Sequence, residues 1–174
     1  MYHSQMPCAC RKPEPAYPET DQWGPILWKL LHSLAEHAGR PCFPTPTNFA
    51  DERRQWMNLV GMLPKMIPCD KCREHATEYL NTLKFDLKNV ADDELYEYIR
   101  TYFWEFHEHV NSGLGKPSFS KGDLSATYRV VSVPSTLKQL TPYIETTIRL
   151  RGLTLLPWQK CIGFIRMLFS LYGL

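Results

Sequence analysis

Residues 67–83 read IPCDKCREHATEYLNTL, and this stretch places Cys69 and Cys72 at the first turn of a predicted helix. Pro68 favours a helix start here, because a proline in the first turn lacks only an N–H group that would have no partner in the helix. The helix is predicted to end near Lys84. Cysteines three residues apart lie on one face, close enough to bond. The stretch therefore predicts a redox pair, half of a zinc site or two buried thiols.

The start of a helix can activate a thiol. Its unpaired N–H groups carry a partial positive charge, which can lower a thiol pKa to about 3.5–7.5. Such a thiol is a nucleophilic thiolate at neutral pH. Of the three alternatives for Cys69 and Cys72, we therefore favour redox chemistry.

A second close pair, Cys8 and Cys10, lies in residues 1–20, which are rich in proline and are predicted to form a flexible tail. One intervening residue makes a strained, easily reduced disulfide, which is typical of a shuttle. The alternative is a four-thiolate zinc site with Cys69 and Cys72 in an interaction module. Zinc prefers two to four residues between paired cysteines, so the Cys8–Cys10 spacing is short for that role.

The rest of the sequence predicts helices, because apolar residues recur at spacings of three and four. The predicted helices cover about 24–39, 48–63, 92–111, 135–150 and 158–172, with a glycine- and serine-rich stretch at 112–134. Strands do not alternate with these helices, so we predict an all-α fold rather than a parallel sheet.

We predict three parts along the chain. Residues 1–20 form the tail, residues 21–120 form the functional domain, and residues 121–174 form a C-terminal extension, helical and packed on the domain or on a partner. Cys42 and Cys161 are predicted to be free thiols, and a disulfide between them stays open as an alternative.

The composition narrows the class of protein. The chain has 174 residues, of which 44% are hydrophobic, and a net charge of +2, which is too small to attract nucleic acid. It has no run of 18 apolar residues, so no membrane-spanning helix is expected. The first residues lack the apolar core of a secretory signal peptide. A static disulfide scaffold is therefore a poor explanation for the six cysteines.

Two helices carry candidate binding residues. Trp28 and His32 share a face of the first helix, His107 and Asn111 repeat this spacing on the fourth, and Lys116 follows its end. Each pair alone is more typical of a packed core. Together they offer a flat aromatic ring, hydrogen-bond donors and a cation, which suit a planar ring system carrying phosphates. No glutamate precedes a histidine by three residues, so no di-iron site is predicted, and we assign no metal ligands.

Three blocks, taken in order, resemble the ALR/Erv family of FAD-linked sulfhydryl oxidases. WGPILWKLLH at 23–32 is similar to the family's Gly-x-x-x-Trp-x-x-x-His segment, and IPCDKCREH at 67–75 to its Pro-Cys-x-x-Cys segment. HEHVNSGLGKP at 107–117 is similar to its His-Asn-x-Val-Asn-x-x-Leu-Gly-Lys-Pro segment. The resemblance covers roughly residues 22–120, and the ordered set is far more specific than any single block.

The resemblance implies a four-helix bundle with a short fifth helix, FAD held non-covalently, and a homodimer. It implies a thiol oxidase that forms disulfides in substrate proteins and passes their electrons through Cys69–Cys72 to FAD and then to oxygen, giving hydrogen peroxide. Cys72 would face the flavin, and Cys69 would exchange with the incoming dithiol. The residues that it places at the cofactor are Gly24, Trp28, His32, His107, Val110, Asn111, Leu114 and Lys116.

The chain also departs from the family pattern. Pro25 stands where an arginine is common, and Glu108 replaces an asparagine, which adds a negative charge near the cofactor. Some relatives carry a structural disulfide at the positions of Trp104 and Lys121. Pro25 and the absence of cysteines at positions 104 and 121 are most similar to forms encoded by large DNA viruses, which implies the cytoplasm of an infected cell or a virion. The mitochondrial intermembrane space is the alternative.

Overall fold

The computed structural model describes residues 17–174, so Cys8 and Cys10 lie outside the described residues. The helices in this range are α1 (Thr20–Ala35), α2 (Pro46–Met62), α3 (Asp70–Thr82), α4 (Leu95–Gly113), α5 (Leu124–Tyr128), α6 (Val133–Arg149) and α7 (Leu155–Tyr172), with 3₁₀ turns at Leu63–Met66 and Lys121–Asp123. No strand occurs between residues 17 and 174. The predicted all-α fold is confirmed.

The predicted start of α1 was wrong by about one turn, because the helix begins at Thr20. The backbone N–H of Glu19 donates to Oε1 of the Gln22 side chain at 3.2 Å and so caps the start. Pro25 lies inside the helix, where its ring removes the bond to the carbonyl of Asp21. Asp21 is exposed, so water can satisfy that carbonyl.

Aromatic contacts join α4 to the three helices that precede it. Phe103 of α4 packs against Trp56 of α2, with ring centroids 5.5 Å apart. Phe106 stacks on Tyr79 of α3 at 4.5 Å and meets the edge of Trp28 of α1 at 5.2 Å. The first four helices therefore share one core, as the bundle prediction required, and α5 is a short fifth helix.

The C-terminal extension shares this core. α6 packs along α1, and α7 packs along α2. Leu140 of α6 and Trp158 of α7 belong to the same buried cluster as the bundle residues. At the end of α7, the Tyr172 hydroxyl accepts from the Trp56 indole at 2.7 Å and donates to Glu52 at 2.6 Å. Both predicted C-terminal helices are present and begin two or three residues earlier than expected.

Polar contacts hold the chain that follows α4 against that helix. The Trp104 indole donates to the carbonyl of Phe119 at 2.8 Å. The Lys121 ammonium lies 2.6 Å from the Glu97 carboxylate, and the Lys121 carbonyl accepts from Arg100 at 2.9 Å. These contacts hold Phe119 and Lys121 against α4.

The two cysteines outside the close pairs are free, and they do not form the alternative disulfide. Cys42 is exposed, whereas Cys161 is buried in α7. Burial raises the pKa of the Cys161 thiol to about 12, so this thiol stays protonated and unreactive at neutral pH.

No helix in residues 17–174 combines the length and the apolar character needed to cross a membrane.

Candidate active site

Cys69 and Cys72 form a disulfide at the start of α3, with Cα atoms 5.2 Å apart. Cys69 is the N-cap residue, and its sulfur accepts a hydrogen bond from the Cys72 N–H at 3.2 Å. The helix therefore begins at Asp70 rather than at Pro68. Because the Cys72 N–H in the first turn donates to the Cys69 sulfur, the helix start stabilises negative charge on this sulfur when the disulfide opens.

The surroundings of the disulfide include residues that the sequence did not indicate. The Thr20 hydroxyl, at the start of α1, lies 3.9 Å from the Cys72 sulfur. Arg73 forms an ion pair with Asp70 and donates to the carbonyl of Gly152 at 3.0 Å. Gly152 lies in the turn between α6 and α7, so the extension reaches the immediate neighbourhood of the cysteine pair. Its spacing of 79 residues from Arg73 gives no local sequence signal.

A cluster of rings lies between α1, α4 and α5. The rings of Trp28 and His107 stack with centroids 4.1 Å apart and planes inclined by 10°. His32 Nε2 lies 3.0 Å from His107 Nδ1, within hydrogen-bond distance. Tyr128 stacks on His32 at 4.7 Å. The structure thus brings together the three predicted rings and adds Tyr128. Sequence reasoning missed Tyr128 because the five residues of α5 are too few to show an apolar spacing.

Both histidines of this ring cluster are neutral at neutral pH. Burial, followed by the nearby charges of His107 and Arg100, lowers the pKa of His32 to about 3. Burial is also the main cause that lowers the pKa of His107 to about 4, and Lys116 lowers it further. A neutral pair can share one hydrogen bond, with one ring as donor and the other as acceptor.

Because His32 and His107 are buried in their neutral forms, we expect the protein to lose stability as the pH falls below about 6.5. The unfolded chain takes up these protons near pH 6.5, whereas the folded chain takes them up only near 4 and 3. Below 6.5 the unfolded state therefore binds more protons, and each group lowers the unfolding free energy by up to about 1.4 kcal/mol per pH unit. Urea unfolding measured from pH 7 to pH 4 checks this slope.

The control for this prediction exchanges a different histidine. His32→Gln should flatten the pH dependence, while His109→Gln, at an exposed position, should keep the wild-type slope. Equal slopes for both variants would contradict the assignment.

Four of the other predicted cofactor residues lie at or just after the end of α4, and the fifth lies in α1. Val110 and Asn111 are half-buried, and Leu114 and Lys116 are exposed. The Lys116 N–H donates to the carbonyl of Asn111 at 2.9 Å, which folds the chain back over the helix end. Gly24 is buried in α1, but a side chain there would meet only an ordinary contact, so the structure shows no need for glycine at this position.

The negative charge that Glu108 adds near the proposed cofactor site is satisfied by hydrogen bonds. Its carboxylate accepts from the Ser118 hydroxyl and from the N–H of Phe119, the latter at 2.9 Å. The Asn111 amide lies 3.5 Å from the same group. These hydrogen bonds lower the pKa of Glu108 and engage its charge with the loop that follows α4.

The side chains of the ring cluster fit the chemistry of a flavin dinucleotide. Trp28 and His107 supply flat faces, the neutral histidines supply ring nitrogens, and Lys116 supplies a cation at the exposed edge. Thr20 and Trp28 are eight residues apart on α1, which corresponds to about 12 Å along the helix axis. Helix α1 therefore contacts the disulfide through Thr20 and carries Trp28 of the ring cluster about two turns further along.

No second group of zinc ligands lies near Cys69 and Cys72 in the described part of the chain. Among residues 17–174, no three His, Cys, Asp or Glu side chains are placed to hold a metal ion together. Cys69 and Cys72 are bonded to each other, and the remaining proposed ligands, Cys8 and Cys10, lie outside the described residues.

A disulfide at the start of α3, together with a ring cluster on α1, α4 and α5, defines a helical thiol–disulfide redox protein. The chain belongs to the Erv1/Alr family, whose pattern matches residues 25–129.

Several relatives agree with this assignment. The chain is 31% identical over 108 residues to protein 096R of Invertebrate iridescent virus 3, covering 62% of this chain and 66% of the relative. It is 32% identical over 98 residues to protein 347L of Invertebrate iridescent virus 6, covering 55% and 81%. It is 31% identical over 109 residues to the mitochondrial protein Erv1 of Saccharomyces cerevisiae, covering 63% and 50%. All three relatives are named as FAD-linked sulfhydryl oxidases.

Proposed function

We propose that this chain is an FAD-dependent sulfhydryl oxidase that forms disulfides in substrate proteins. The observation that carries the proposal is the Cys69–Cys72 disulfide at the start of α3, beside the rings of α1 and α4, in a member of the Erv1/Alr family. The names of the viral and yeast relatives support the same activity.

The cysteine pair performs thiol–disulfide exchange in two steps. A substrate thiolate attacks the Cys69 sulfur, forms a mixed disulfide and releases Cys72 as a thiolate. The second substrate thiolate then attacks the substrate sulfur of the mixed disulfide and releases Cys69, so the substrate leaves oxidised and the pair is reduced. Because Cys69 caps α3, the helix start favours its departure as a thiolate.

FAD, when bound, would supply the remaining chemistry, which is the two-electron transfer from a dithiol to oxygen that gives hydrogen peroxide. The protein's own residues bind and orient. Trp28 and His107 would pack on a ring of the cofactor, and His32 fixes the orientation of His107. Lys116 would approach a polar part of it. Gly24, Val110, Asn111 and Leu114 complete the proposed set.

The partners follow from the activity. Dithiol proteins are the electron donors and molecular oxygen is the acceptor, and a homodimer and a Cys8–Cys10 shuttle both stay predictions. The proposed site of action is the cytoplasm of an infected cell or a virion, with the mitochondrial intermembrane space as the alternative. The proposed functional domain is residues 21–120, although its core continues into the extension.

Trp28→Ala tests the cofactor site. The purified wild-type protein should be yellow, and the variant should bind FAD about 10- to 100-fold more weakly, because stacking on an aromatic ring contributes about 1–3 kcal/mol. Fluorescence titration of flavin-free protein with FAD measures this change.

The matched control for Trp28→Ala is Phe43→Ala, which removes an aromatic ring that is 74% exposed. It should leave FAD binding unaltered. A Trp28→Ala protein that binds FAD as tightly as the control would show that the ring cluster is not the flavin site.

A further inference from the structure

One residue in the turn after α6 has a backbone conformation that does not suit its side chain. Among residues 17–174, Arg151 is the one residue other than glycine with a left-handed backbone, with φ at 62°. In this conformation the Cβ of an L-amino acid crowds the following carbonyl oxygen, so glycine is favoured and arginine is not. Such strain persists where the surrounding structure enforces it, and it is frequent at functional sites.

The turn itself does not require an arginine. The Arg151 N–H donates to the carbonyl of Ile148, and the Gly152 N–H donates to that of Thr147, both at 2.9 Å. These two bonds form a Schellman motif, in which the residue at position 151 is usually glycine. The chain instead has its glycine at position 152, where the backbone is not left-handed. The arginine side chain therefore needs an explanation outside the turn.

Gly152 fixes this turn beside the active site. Its carbonyl accepts from the Arg73 side chain at 3.0 Å. Arg73 is four residues after Cys69, and its N–H donates to the Cys69 carbonyl at 2.9 Å, so the two side chains share one face at the start of α3. A Cβ at Gly152 would lie 2.5 Å from Cε1 of Tyr17, so the turn also packs against the residues that precede α1. The turn therefore borders the side of the disulfide that carries Cys69.

We propose that Arg151 selects substrates at Cys69, favouring dithiols that carry acidic residues beside the reacting thiol. The proposal rests on the proposed oxidase function, in which a substrate thiolate attacks the Cys69 sulfur and releases Cys72 as a thiolate. A substrate in that mixed disulfide covers the surface around Cys69. An exposed guanidinium at the edge of this surface can pair with a carboxylate that flanks the substrate thiol.

Arg73 contacts Cys69, but its charge is already engaged. It forms an ion pair with Asp70 and donates to the Gly152 carbonyl. Lys71 and Arg151 are exposed, and no ion pair between described residues includes either of them. These two cations are therefore available to an anionic substrate.

The nearby acidic residues lie on other sides of the disulfide. Glu74 is five residues after Cys69, so it lies on a different face of α3. Two further acidic residues flank Thr20, whose hydroxyl lies 3.9 Å from the Cys72 sulfur, and so belong to the Cys72 side: Glu19 and Asp21. The surface around Cys69 therefore favours an anionic partner.

Two peptides test the selectivity. Each contains Cys-Gly-Gly-Cys, flanked by glutamates in one peptide and by lysines in the other, and oxygen consumption gives kcat/KM for each. At about 0.1 M ionic strength, Arg151→Gly should lower the ratio of the glutamate peptide to the lysine peptide by about threefold or more, because one cation at the site is lost. Both peptides present the same thiols, so the ratio cancels any effect on the attacking thiolate.

The effect should follow the charge at position 151. Arg151→Lys should keep the wild-type ratio. About 1 M salt should remove the difference between Arg151→Gly and the wild-type protein, because the Debye length falls to about 3 Å. Lys138→Gln is the matched control, since Lys138 is an exposed cation of α6 about 16 Å along the helix from Arg149. It should leave the ratio unaltered.

A melting curve provides a readout that does not depend on the substrate. Because glycine is favoured in a left-handed backbone, Arg151→Gly should melt about 2–4 °C above the wild-type protein, whereas Arg151→Lys should not. Higher stability together with lower selectivity would show that the arginine serves the substrate. A lower melting temperature in Arg151→Gly would overturn the proposal, because it would show that the arginine stabilises the turn.

The outcomes separate this proposal from the proposed function. An unchanged peptide ratio in Arg151→Gly, or an equal fall in Lys138→Gln, would overturn the selectivity proposal while the oxidase function stands. If the wild-type protein consumes oxygen with neither the peptides nor dithiothreitol, the proposed function itself fails.

Discussion

Cys72→Ser is expected to abolish thiol-dependent oxygen consumption, with a loss of at least about a thousandfold, as is typical when a covalent nucleophile is removed. Without Cys72 there is no disulfide for the substrate to attack, and Cys69 alone cannot store two electrons. An oxygen electrode with dithiothreitol as the substrate measures the rate directly.

Cys42→Ser is the matched control for Cys72→Ser. Cys42 is a free and exposed thiol, so its exchange for serine removes a cysteine without touching the pair. This variant should consume oxygen at the wild-type rate. Unchanged consumption in Cys72→Ser would contradict the oxidase proposal and favour a helical scaffold that has the fold without the activity.

Arg100→Leu is expected to lower the unfolding free energy by about 3–5 kcal/mol, the typical cost of leaving a buried charge without its partner. Glu36 is only 1% exposed, and its carboxylate accepts from Arg100 Nε at 2.9 Å. Tyr96 and Ser125 donate to its other oxygen at 2.9 and 2.7 Å. These bonds connect the end of α1 to α4 and α5, so the loss should spread to the ring cluster. Urea unfolding at pH 7 measures it.

Arg54→Leu provides the comparison for Arg100→Leu, because Arg54 forms an exposed ion pair with Asp51 at 2.7 Å. Exposed pairs contribute about 0–1 kcal/mol, so this variant should be nearly as stable as the wild-type protein. If the two variants differ by less than about 1 kcal/mol, Glu36 does not depend on Arg100 as the structure implies.

Helix positions could be predicted wherever the local pattern is strong. The apolar spacing located every long helix to within about one turn, and the Cys69–Cys72 spacing predicted a pair able to bond. The predicted start of α1 was wrong, because Pro25 resembles a first-turn proline. The contact between Glu19 and Gln22 instead starts the helix about one turn before it. A proline that costs one exposed hydrogen bond is a weak boundary signal.

The ring cluster could be predicted only in part. The repeated spacing selected Trp28, His32 and His107, and the family resemblance ordered them around one cofactor. Tyr128 could not be predicted, because α5 is a five-residue helix whose position depends on tertiary contacts.

The approach of Gly152 to Arg73 was also beyond sequence reasoning. It exists because α6 and α7 fold back along α1 and α2, and no local pattern encodes that return. The parts of the site that sequence reasoning missed are therefore those built by the return of the C-terminal chain.

Cys69–Cys72 is proposed to pass electrons to a flavin held between α1 and α4. Anaerobic titration of the purified protein with dithiothreitol, followed by the visible absorbance of the flavin, tests it most directly. We predict that the yellow colour bleaches, returns with hydrogen peroxide when air is admitted, and persists throughout in Cys72→Ser. A flavin that stays oxidised after both cysteines are reduced, or a colourless protein that carries zinc, would contradict this electron transfer.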